Sequence, residues 1–339
     1  LFRLVGSEMC IRDRLQNNRS LPSEPSQMRG LEPWHGRCQL QFHMDQHGRT
    51  RHQGGCSAPF KLMRSEIGGD GRCDIPLLHT AGGLVGGDRL SIDLNLLDHS
   101  RSLVTSVAAQ KVYGSIGLSR IQPQGSWAQQ TVKAHLSDHG DLEWLPQELV
   151  LYANALYEQN LNVTLPDNAS FLSAEIVRLG RTAAGEQLDQ GRWRSSLEIQ
   201  RCGPEGRRWE LVDRIELGGD SLSHNHGMGG APVFGSLAWA APRKLQPAEI
   251  QELLDGARAD REGLEGTMRC SALAQGLVAR YLGHSSRDAR FWFSRIWART
   301  RHLRNLSQPE IPRVWPLQEQ PLQRSKSTLN TAPAPAETH

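Results

Sequence analysis

Hydrophobic and polar residues alternate along most of the chain from residue 31 to about residue 235. From 90 to 96, leucine or isoleucine occupies every second position, and the same period of two recurs from 161 to 165. This is the pattern of a β-strand with one buried face. Many short strands with no helical pattern between them predict a mainly β chain with an antiparallel or solenoid-like architecture. Turn-forming residues separate the strands, as at DHG (138–140), PDNA (166–169) and RCGPEG (201–206).

The period changes after Pro242, where two segments, QPAEIQELLDGARADREGL and SSRDARFWFSRIWARTRHL, have the spacing of helices. The first carries acidic residues near its start, and the second begins with Ser285 or Ser286 as an N-cap. The sequence therefore predicts a β body followed by a small helical C-terminal portion. The predicted buried faces comprise Ile250, Leu253, Leu254 and Ala257 in the first helix and Ala289, Phe293, Ile296 and Trp297 in the second.

Composition restricts the class of protein. The 339 residues carry a formal net charge of +3, and 22% of them are charged. This near balance argues against a nucleic-acid-binding protein, which concentrates basic residues on one face. No apolar run approaches the roughly 20 residues of a membrane helix. The six cysteines form no C-x-x-C pair, so we interpret them as reduced thiols of a cytoplasmic protein.

The two ends of the chain differ from its centre. Residues 1–27 contain GSEMCIRDR, which resembles a translated sequencing adapter, so we interpret them as a non-native leader that precedes Met28. We expect residues 28–316 to form the β domain with its C-terminal helices. Residues 317–339 are rich in proline, alanine, serine and threonine without apolar periodicity, which predicts a disordered tail.

The stretch HTAGGLVGGDRL places four glycines, Gly82, Gly83, Gly86 and Gly87, directly before Asp88. A Walker A loop requires lysine where Asp88 stands, and a dinucleotide fingerprint requires a different glycine spacing before a helix. Both phosphate-binding interpretations therefore fail. A turn that needs positive φ or close backbone approach is favoured, and a functional loop that presents Asp88 is the alternative.

Carboxylates offer a second kind of chemistry. Glu143 and Glu148 lie within LEWLPQE, and Glu175 lies in an otherwise apolar strand. A buried acid requires a partner, so Glu175 either forms a salt bridge with Arg178 or Arg181 or serves a function. Two of these acids could also be the pair of a β-rich carbohydrate-active hydrolase, although nothing in the sequence shows which would pair.

Two histidines lie two residues apart in SHNHGMGG. In an extended segment His224 and His226 would face the same side, and with Met228 they would suit a nickel or copper ion. A polar surface loop is the favoured interpretation, because two ligands do not make a site. A metal-storage protein that uses this loop is a further alternative.

A series of motifs, taken in order, resembles the urease accessory protein UreD (UreH) family over roughly residues 28–316. Together they are specific, although no single motif is. They are PLLHTAGGLVGGDRL (76–90), VTSVAAQKVYGS (104–115), LEWLPQELVLY (142–152), FLSAEIVRLGRTAAGE (171–186), LVARYLGHSS (277–286) and IPRVWPL (311–317).

The resemblance implies a non-catalytic maturation factor with a flattened, β-helix-like stack of strands and a few C-terminal helices. It implies the partners UreF, UreG and the urease structural subunits, with GTP hydrolysed by UreG. It also implies no permanently bound cofactor and a transient cargo, Ni²⁺, delivered to apo-urease.

Residue roles follow from the same resemblance. Asp88, Glu148 and Glu175 match its motifs and are candidate linings of a nickel conduit, whose binding sites must be weak enough to release the ion. The remaining motif residues are expected to support that wall. They are Gly82, Gly83, Gly86, Gly87, Lys111, Tyr113, Arg181 and Glu186.

Overall fold

Strands make up most of the regular structure in residues 33–188, 190–204, 206–315 and 319–323, which the computed structural model describes. Two α-helices in this part of the chain, α1 (Pro247–Ala259) and α2 (Ser286–Leu303), both follow residue 246, as predicted. Short 3-10 helices lie at Thr182–Ala184 and Gly219–Leu222. The strands are β1 (His35–Met44), β2 (Thr50–Cys56), β3 (Phe60–Leu62), β4 (Glu66–Ile67), β5 (Cys73–His79), β6 (Arg89–Leu96), β7 (Arg101–Ser106), β8 (Gln110–Val112), β9 (Ala128–Leu136), β10 (Asp141–Leu145), β11 (Leu149–Leu151), β12 (Leu156–Leu165), β13 (Ser170–Leu179), β14 (Arg192–Gly203), β15 (Gly206–Leu217), β16 (Val233–Ala240), β17 (Thr267–Leu273) and β18 (Gly276–Gly283).

These strands form a seven-stranded and an eleven-stranded sheet. The first has the order β15-β14-β12-β9-β6-β1-β2, and the second follows β17-β18-β16-β13-β10-β7-β5-β3 with β4, β8 and β11 beside that path. Neighbouring central strands are parallel in both sheets. Because the chain alternates between the sheets from β5 to β14, it crosses from one to the other after almost every central strand. The mainly β prediction is confirmed, whereas the flattened, helix-like stack stays a prediction.

The eleven-stranded sheet is buried on both faces. Phe171 and Val177 of β13 belong to the hydrophobic core that includes residues of both sheets. Leu172 and Ile176, on the opposite face, belong to a second core that includes residues of α1 and α2. Since side chains alternate along a strand, Glu175 projects between the sheets with Phe171 and Val177.

The C-terminal helix α2 covers the outer face of the eleven-stranded sheet. All four residues of its predicted apolar face are buried, which confirms that prediction. Ser285 is the N-cap, and its Oγ accepts a hydrogen bond from the backbone nitrogen of Asp288 at 3.1 Å. No helix in the described ranges is both long and apolar enough to span a bilayer.

Removal of this cap should have a small, local effect. We expect Ser285→Ala to lower the free energy of unfolding by about 1 kcal/mol, because it leaves a backbone N–H of the first turn without its acceptor. Urea denaturation measures the change. Ser286→Ala is the matched control and should change stability far less. Equal losses for both variants would contradict the assignment of Ser285 as the cap.

Part of the predicted tail contacts α2. Arg287 Nε donates to Glu319 Oε1 at 3.2 Å, and Arg295 donates to the carbonyl oxygens of Pro321 and Gln323, each at 3.1 Å. Residues 319–323 therefore contact the helix. The predicted leader, 1–27, and the remainder of the predicted tail, 317–318 and 324–339, lie outside the described residues.

Candidate functional site

A cavity of about 270 Å³ lies between the two sheets. Both sheets contribute to its wall, with Ile92 and Val132 from the seven-stranded sheet and Trp144 and Leu149 from the eleven-stranded sheet. The wall also includes polar side chains, so the cavity differs from the packed core around it. Its size is sufficient for several water molecules.

Polar residues form a row across each facing sheet. In the seven-stranded sheet Gln130 pairs with Gln159, which in turn pairs with Ser195. In the eleven-stranded sheet Glu175 pairs with Ser236, which pairs with Arg280. These rows bring together residues that are far apart in the sequence.

Glu175 connects the two rows. Its Oε1 accepts a hydrogen bond from Gln159 Nε2, and its Oε2 accepts one from Ser195 Oγ at 3.4 Å. Gln159 Nε2 also donates to Ser195 Oγ at 3.2 Å. The predicted salt bridge is wrong, because Arg178 donates to Thr182 Oγ1 at 2.9 Å and Arg181 pairs with Glu186. The partners of Glu175 are therefore uncharged.

The position of Glu175 changes its acidity. Protein surrounds the side chain, and this burial raises the pKa of the carboxyl group from 4.5 to about 7. Ser195 and the charge of Arg280 oppose the rise, and the charge of Asp213 adds to it. Glu175 lines the cavity and is half-buried, so its carboxyl group is open to the cavity. It can therefore exchange a proton near neutral pH.

A second ionic group lies at the same end of the cavity. Arg280 Nη2 donates to Asp213 Oδ2 at 2.5 Å, and Arg280 Nη1 donates to Ser236 Oγ. Asp213 and Ser236 both line the cavity. Burial, followed by the nearby Glu175 charge, raises the pKa of the Tyr157 hydroxyl, so this phenol stays neutral. The wall thus offers carboxylate, amide, hydroxyl and phenol oxygens.

His79 adds an imidazole to the wall. Its Nε2 is buried and has no hydrogen-bond partner in the described part of the protein. Burial lowers the pKa of this ring, against the nearby charge of Asp88, so the neutral form is favoured. A neutral imidazole nitrogen is a good ligand for nickel and related ions.

Asp88 lies in the glycine-rich turn and not in the cavity wall. Its Oδ1 accepts from the backbone nitrogen of Trp34 at 3.0 Å, and its Oδ2 from that of Val85 at 2.9 Å. The side chain is 5% exposed. Both oxygens therefore stabilise local backbone, which explains its position after the last glycine.

The glycines allow this turn to pack closely. A Cβ at Gly86 would lie 2.2 Å from Ser115 Oγ, and Gly87 has a φ of +97°. Gly82 and Gly83 border the cavity. The glycines therefore form the closely packed turn with positive φ that the sequence favoured. Several amides that a phosphate cradle would need already donate within the protein, namely those of Leu84, Val85, Gly87 and Asp88.

The Lys111 and Tyr113 motif lies beside the turn. Leu84 donates its backbone N–H to the carbonyl of Lys111 at 2.8 Å, and Tyr113 Oη donates to the carbonyl of Gly82 at 3.3 Å. Lys111 borders the cavity while its side chain is exposed. These bonds hold the turn against β8.

Arg181 and Glu186 extend the same cluster. Arg181 Nε donates to Glu186 Oε2 at 2.6 Å, and Glu186 Oε1 accepts from the backbone nitrogen of Ala153 at 2.6 Å. The guanidinium lies 4.4 Å from the ring centre of Tyr152, which packs edge-on against Tyr113. Three of the sequence motifs therefore meet at one place, next to the cavity.

Glu148 pairs with a helix rather than with Glu175. Arg290 Nη2 of α2 contacts its Oε1 at 3.2 Å. Its neighbours Gln147 and Leu149 line the cavity, but Glu148 does not occur among the described lining residues. Of Asp88, Glu148 and Glu175, only Glu175 lies among the described residues that line this cavity, and a conduit lined by all three stays a prediction. The proposed hydrolase pair is not brought together there either.

The two loop histidines are exposed. The rings of His224 and His226 are 5.3 Å apart, while Met228 is buried in the core. No group of three or more His, Cys, Asp or Glu side chains close enough to hold a metal ion occurs among the residues that the structure describes. Metal binding by this loop stays a prediction.

Sequence reasoning missed the polar groups around Glu175. They are its hydrogen-bond partners Gln159 and Ser195 and the neighbouring Asp213, Ser236 and Arg280. Amides and hydroxyls are ordinary on solvent-facing strand positions, so each one alone carries no signal. The available signal is the requirement that a buried carboxylate in an apolar strand must find partners.

Comparison with known proteins places this chain. The family model described as UreD urease accessory protein matches residues 35–316. The chain belongs to the UreD family of urease accessory proteins. It is similar to the urease accessory protein UreD of Parasynechococcus marenigrum (strain WH8102), with 70% identity over 312 residues that cover 92% of this chain and 100% of that protein. The corresponding protein of Synechococcus sp. (strain CC9605) is 69% identical over 312 residues, with the same coverage. That of Prochlorococcus marinus (strain MIT 9303) is 58% identical over 299 residues, covering 86% of this chain and 100% of that protein.

Membership of the UreD family confirms the resemblance predicted from the motif series. It also confirms the prediction of a non-catalytic accessory protein over the hydrolase alternative. The matched region contains the cavity, the glycine-rich turn and both α-helices.

Proposed function

We propose that this protein is a urease maturation factor and that it conducts Ni²⁺ past Glu175, through the cavity between its two sheets. Membership of the UreD family supports the role in maturation. The observation that carries the conduit is the cavity itself, with the Glu175 carboxyl group on its wall. The alternation of strands between the sheets supports a flattened, helix-like stack around it.

The acidity of Glu175 suits transport rather than storage. A ligand carboxylate must be deprotonated to bind a metal ion. With a pKa raised to about 7 by burial, Glu175 exchanges its proton for a passing cation and regains it when the cation leaves. A conduit requires such weak, reversible sites. The amide and hydroxyl partners of Glu175 can replace part of the water shell of the ion.

Nucleotide chemistry belongs, in this proposal, to a partner. We infer an assembly with UreF, the GTPase UreG and the urease structural subunits in the cytoplasm, where this chain acts as a scaffold with no permanently bound cofactor. The glycine-rich turn supports this assignment of GTP to the partner, since several of its amides already donate hydrogen bonds within the protein.

The maturation role is tested by nickel loading of urease. Urease subunits, UreF and UreG are co-expressed with or without this chain, and nickel per urease is measured by atomic spectroscopy. We expect urease to remain largely apo without it. Normal nickel content in its absence would refute the proposal.

The conduit is tested by Glu175→Ala in the same system. We expect several-fold less nickel in urease while the variant still co-purifies with its partners, because the cavity wall has lost the carboxylate that connects its two polar rows. Glu216→Ala is the control, since Glu216 is an exposed glutamate with 51% of its side chain accessible. Unchanged loading by Glu175→Ala would refute the conduit, and loss of assembly would make Glu175 a structural residue.

A further inference from the structure

Two cysteines face each other at the edge of the seven-stranded sheet. Cys38 on β1 and Cys56 on β2 are direct partners in the antiparallel register. Strand β2 is the last strand of that sheet. The remaining described cysteines lack this arrangement; Cys202, for example, pairs with Arg207.

The hydrogen-bond pattern brings the two thiols close. Ser57 donates its backbone N–H to the carbonyl of Arg37 at 2.8 Å, one step along the ladder. Hydrogen-bonded and non-hydrogen-bonded pairs alternate in an antiparallel ladder, so Cys38 and Cys56 form a non-hydrogen-bonded pair. Such pairs have Cα atoms about 4.5 Å apart. This separation lies within the range of about 4.4–6.8 Å that a disulfide spans.

The two thiols differ in access. Cys38 is fully buried, at 0% exposure, and Cys56 is partly exposed. The hydrogen bond from Cys38 lowers the pKa of the Cys56 thiol, against the effect of burial. The same contact and burial raise the pKa of Cys38. Cys56 is therefore the attacking thiol and Cys38 the resolving thiol.

We propose that Cys38 and Cys56 are a modification site, which a small-molecule disulfide such as glutathione disulfide oxidises to a reversible cross-strand disulfide. The site is separate from the nickel conduit, and it does not depend on the proposed function. Its product would link the edge strand β2 covalently to β1.

The reaction is a thiol–disulfide exchange in two steps. The Cys56 thiolate attacks one sulfur of glutathione disulfide, a new S–S bond forms, and one glutathione thiolate leaves with the electron pair of the broken bond. Cys38 then loses its proton to that thiolate and attacks Cys56 Sγ, which releases the second glutathione thiolate; solvent protonates it. Two protein thiols are oxidised, and one glutathione disulfide is reduced to two glutathiones.

The test treats the purified full chain with glutathione disulfide, followed by alkylation of free thiols. Trypsin cleavage after Arg37, Arg49, Arg51 and Lys61 separates the two cysteines into different peptides. We expect a linked pair of these peptides, lighter than their sum by two hydrogen atoms, and its loss after reduction. The disulfide should also raise Tm by roughly 5 °C, because it restricts the unfolded chain.

Variants test the assignment of the two thiols. Cys56→Ser should abolish the linked peptides and the rise in Tm, whereas Cys202→Ser should leave both unchanged. If Cys56→Ser folds poorly, the peptides of the oxidised wild-type chain alone decide whether the disulfide forms. Full alkylation of Cys38 and Cys56 after oxidation, a stable glutathione adduct on Cys56, or linkage to another cysteine would each overturn the proposal.

Discussion

Replacement of Glu143 by alanine should lower the free energy of unfolding by about 3–5 kcal/mol, a large share of the stability of an ordinary domain. Glu143 lies on β10 and is 2% exposed. Its carboxylate contacts Arg72 at 3.0 Å and two arginines at the end of α2, Arg301 at 3.1 Å and Arg304 at 2.8 Å. Alanine would leave these buried guanidinium groups without their shared acceptor.

The neighbouring charges explain the size of this effect. Burial opposes ionisation of Glu143, but the three arginines outweigh it and lower its pKa, so the carboxylate is charged. Arg301 also pairs with Asp70 at 2.5 Å, and Arg304 with Asp141 at 2.5 Å. The network therefore attaches α2 to the eleven-stranded sheet. Removal of one partner from a buried network costs far more than removal of an exposed ion pair.

Urea denaturation of Glu143→Ala and Glu216→Ala compares the loss of a buried ionic network with the loss of an exposed ion pair. Glu216→Ala removes an exposed partner of Arg194 and should cost less than about 1 kcal/mol. Similar losses for Glu143→Ala and Glu216→Ala would show that the buried network contributes little to the attachment of α2.

The strands and helices could be predicted from the sequence because their signals are local. The alternation of hydrophobic and polar residues from 90 to 96 corresponds to β6, and the helical spacing after Pro242 corresponds to α1 and α2. Sheet order could not be predicted in this way. Parallel neighbours such as β12 and β14 are separated by a strand of the other sheet, and no local pattern records that pairing.

Of the three carboxylates predicted from the sequence, Glu175 is the one that lies among the described residues of the cavity wall. Glu175 stands out because a carboxylate in an apolar strand must have a partner. Its partners Gln159 and Ser195 lie 16 and 20 residues away and belong to the opposite sheet, so only the register of β12 and β14 brings them together. Asp88 shows the reverse case. Its motif is recognisable, but its carboxylate is used by the backbone of its own turn.

Replacement of Glu175 by glutamine should stabilise the protein in a pH-dependent manner. Burial raises the pKa of this carboxyl group from 4.5 to about 7, so the folded state holds its proton more tightly than the unfolded state. The stability that the protonated group contributes is complete below pH 4.5 and is lost as the pH rises through about 7. Glutamine stays neutral and can keep the hydrogen bonds to Gln159 and Ser195. The variant should therefore match the wild type near pH 4.5 and exceed its free energy of unfolding above pH 7.

The expected gain above pH 7 is about 2–3 kcal/mol. A rise in pKa from 4.5 to about 7 corresponds to about 3 kcal/mol of stability. Access of water from the cavity reduces this contribution. Urea denaturation from pH 4.5 to pH 8 measures the difference between Glu175→Gln and wild type, and Glu216→Gln supplies the ordinary effect of this substitution at an exposed position. A constant difference across that interval would mean that burial does not hold the proton on Glu175. The exchange of proton for cation at this residue would then lose its physical basis, even if urease maturation still required the protein.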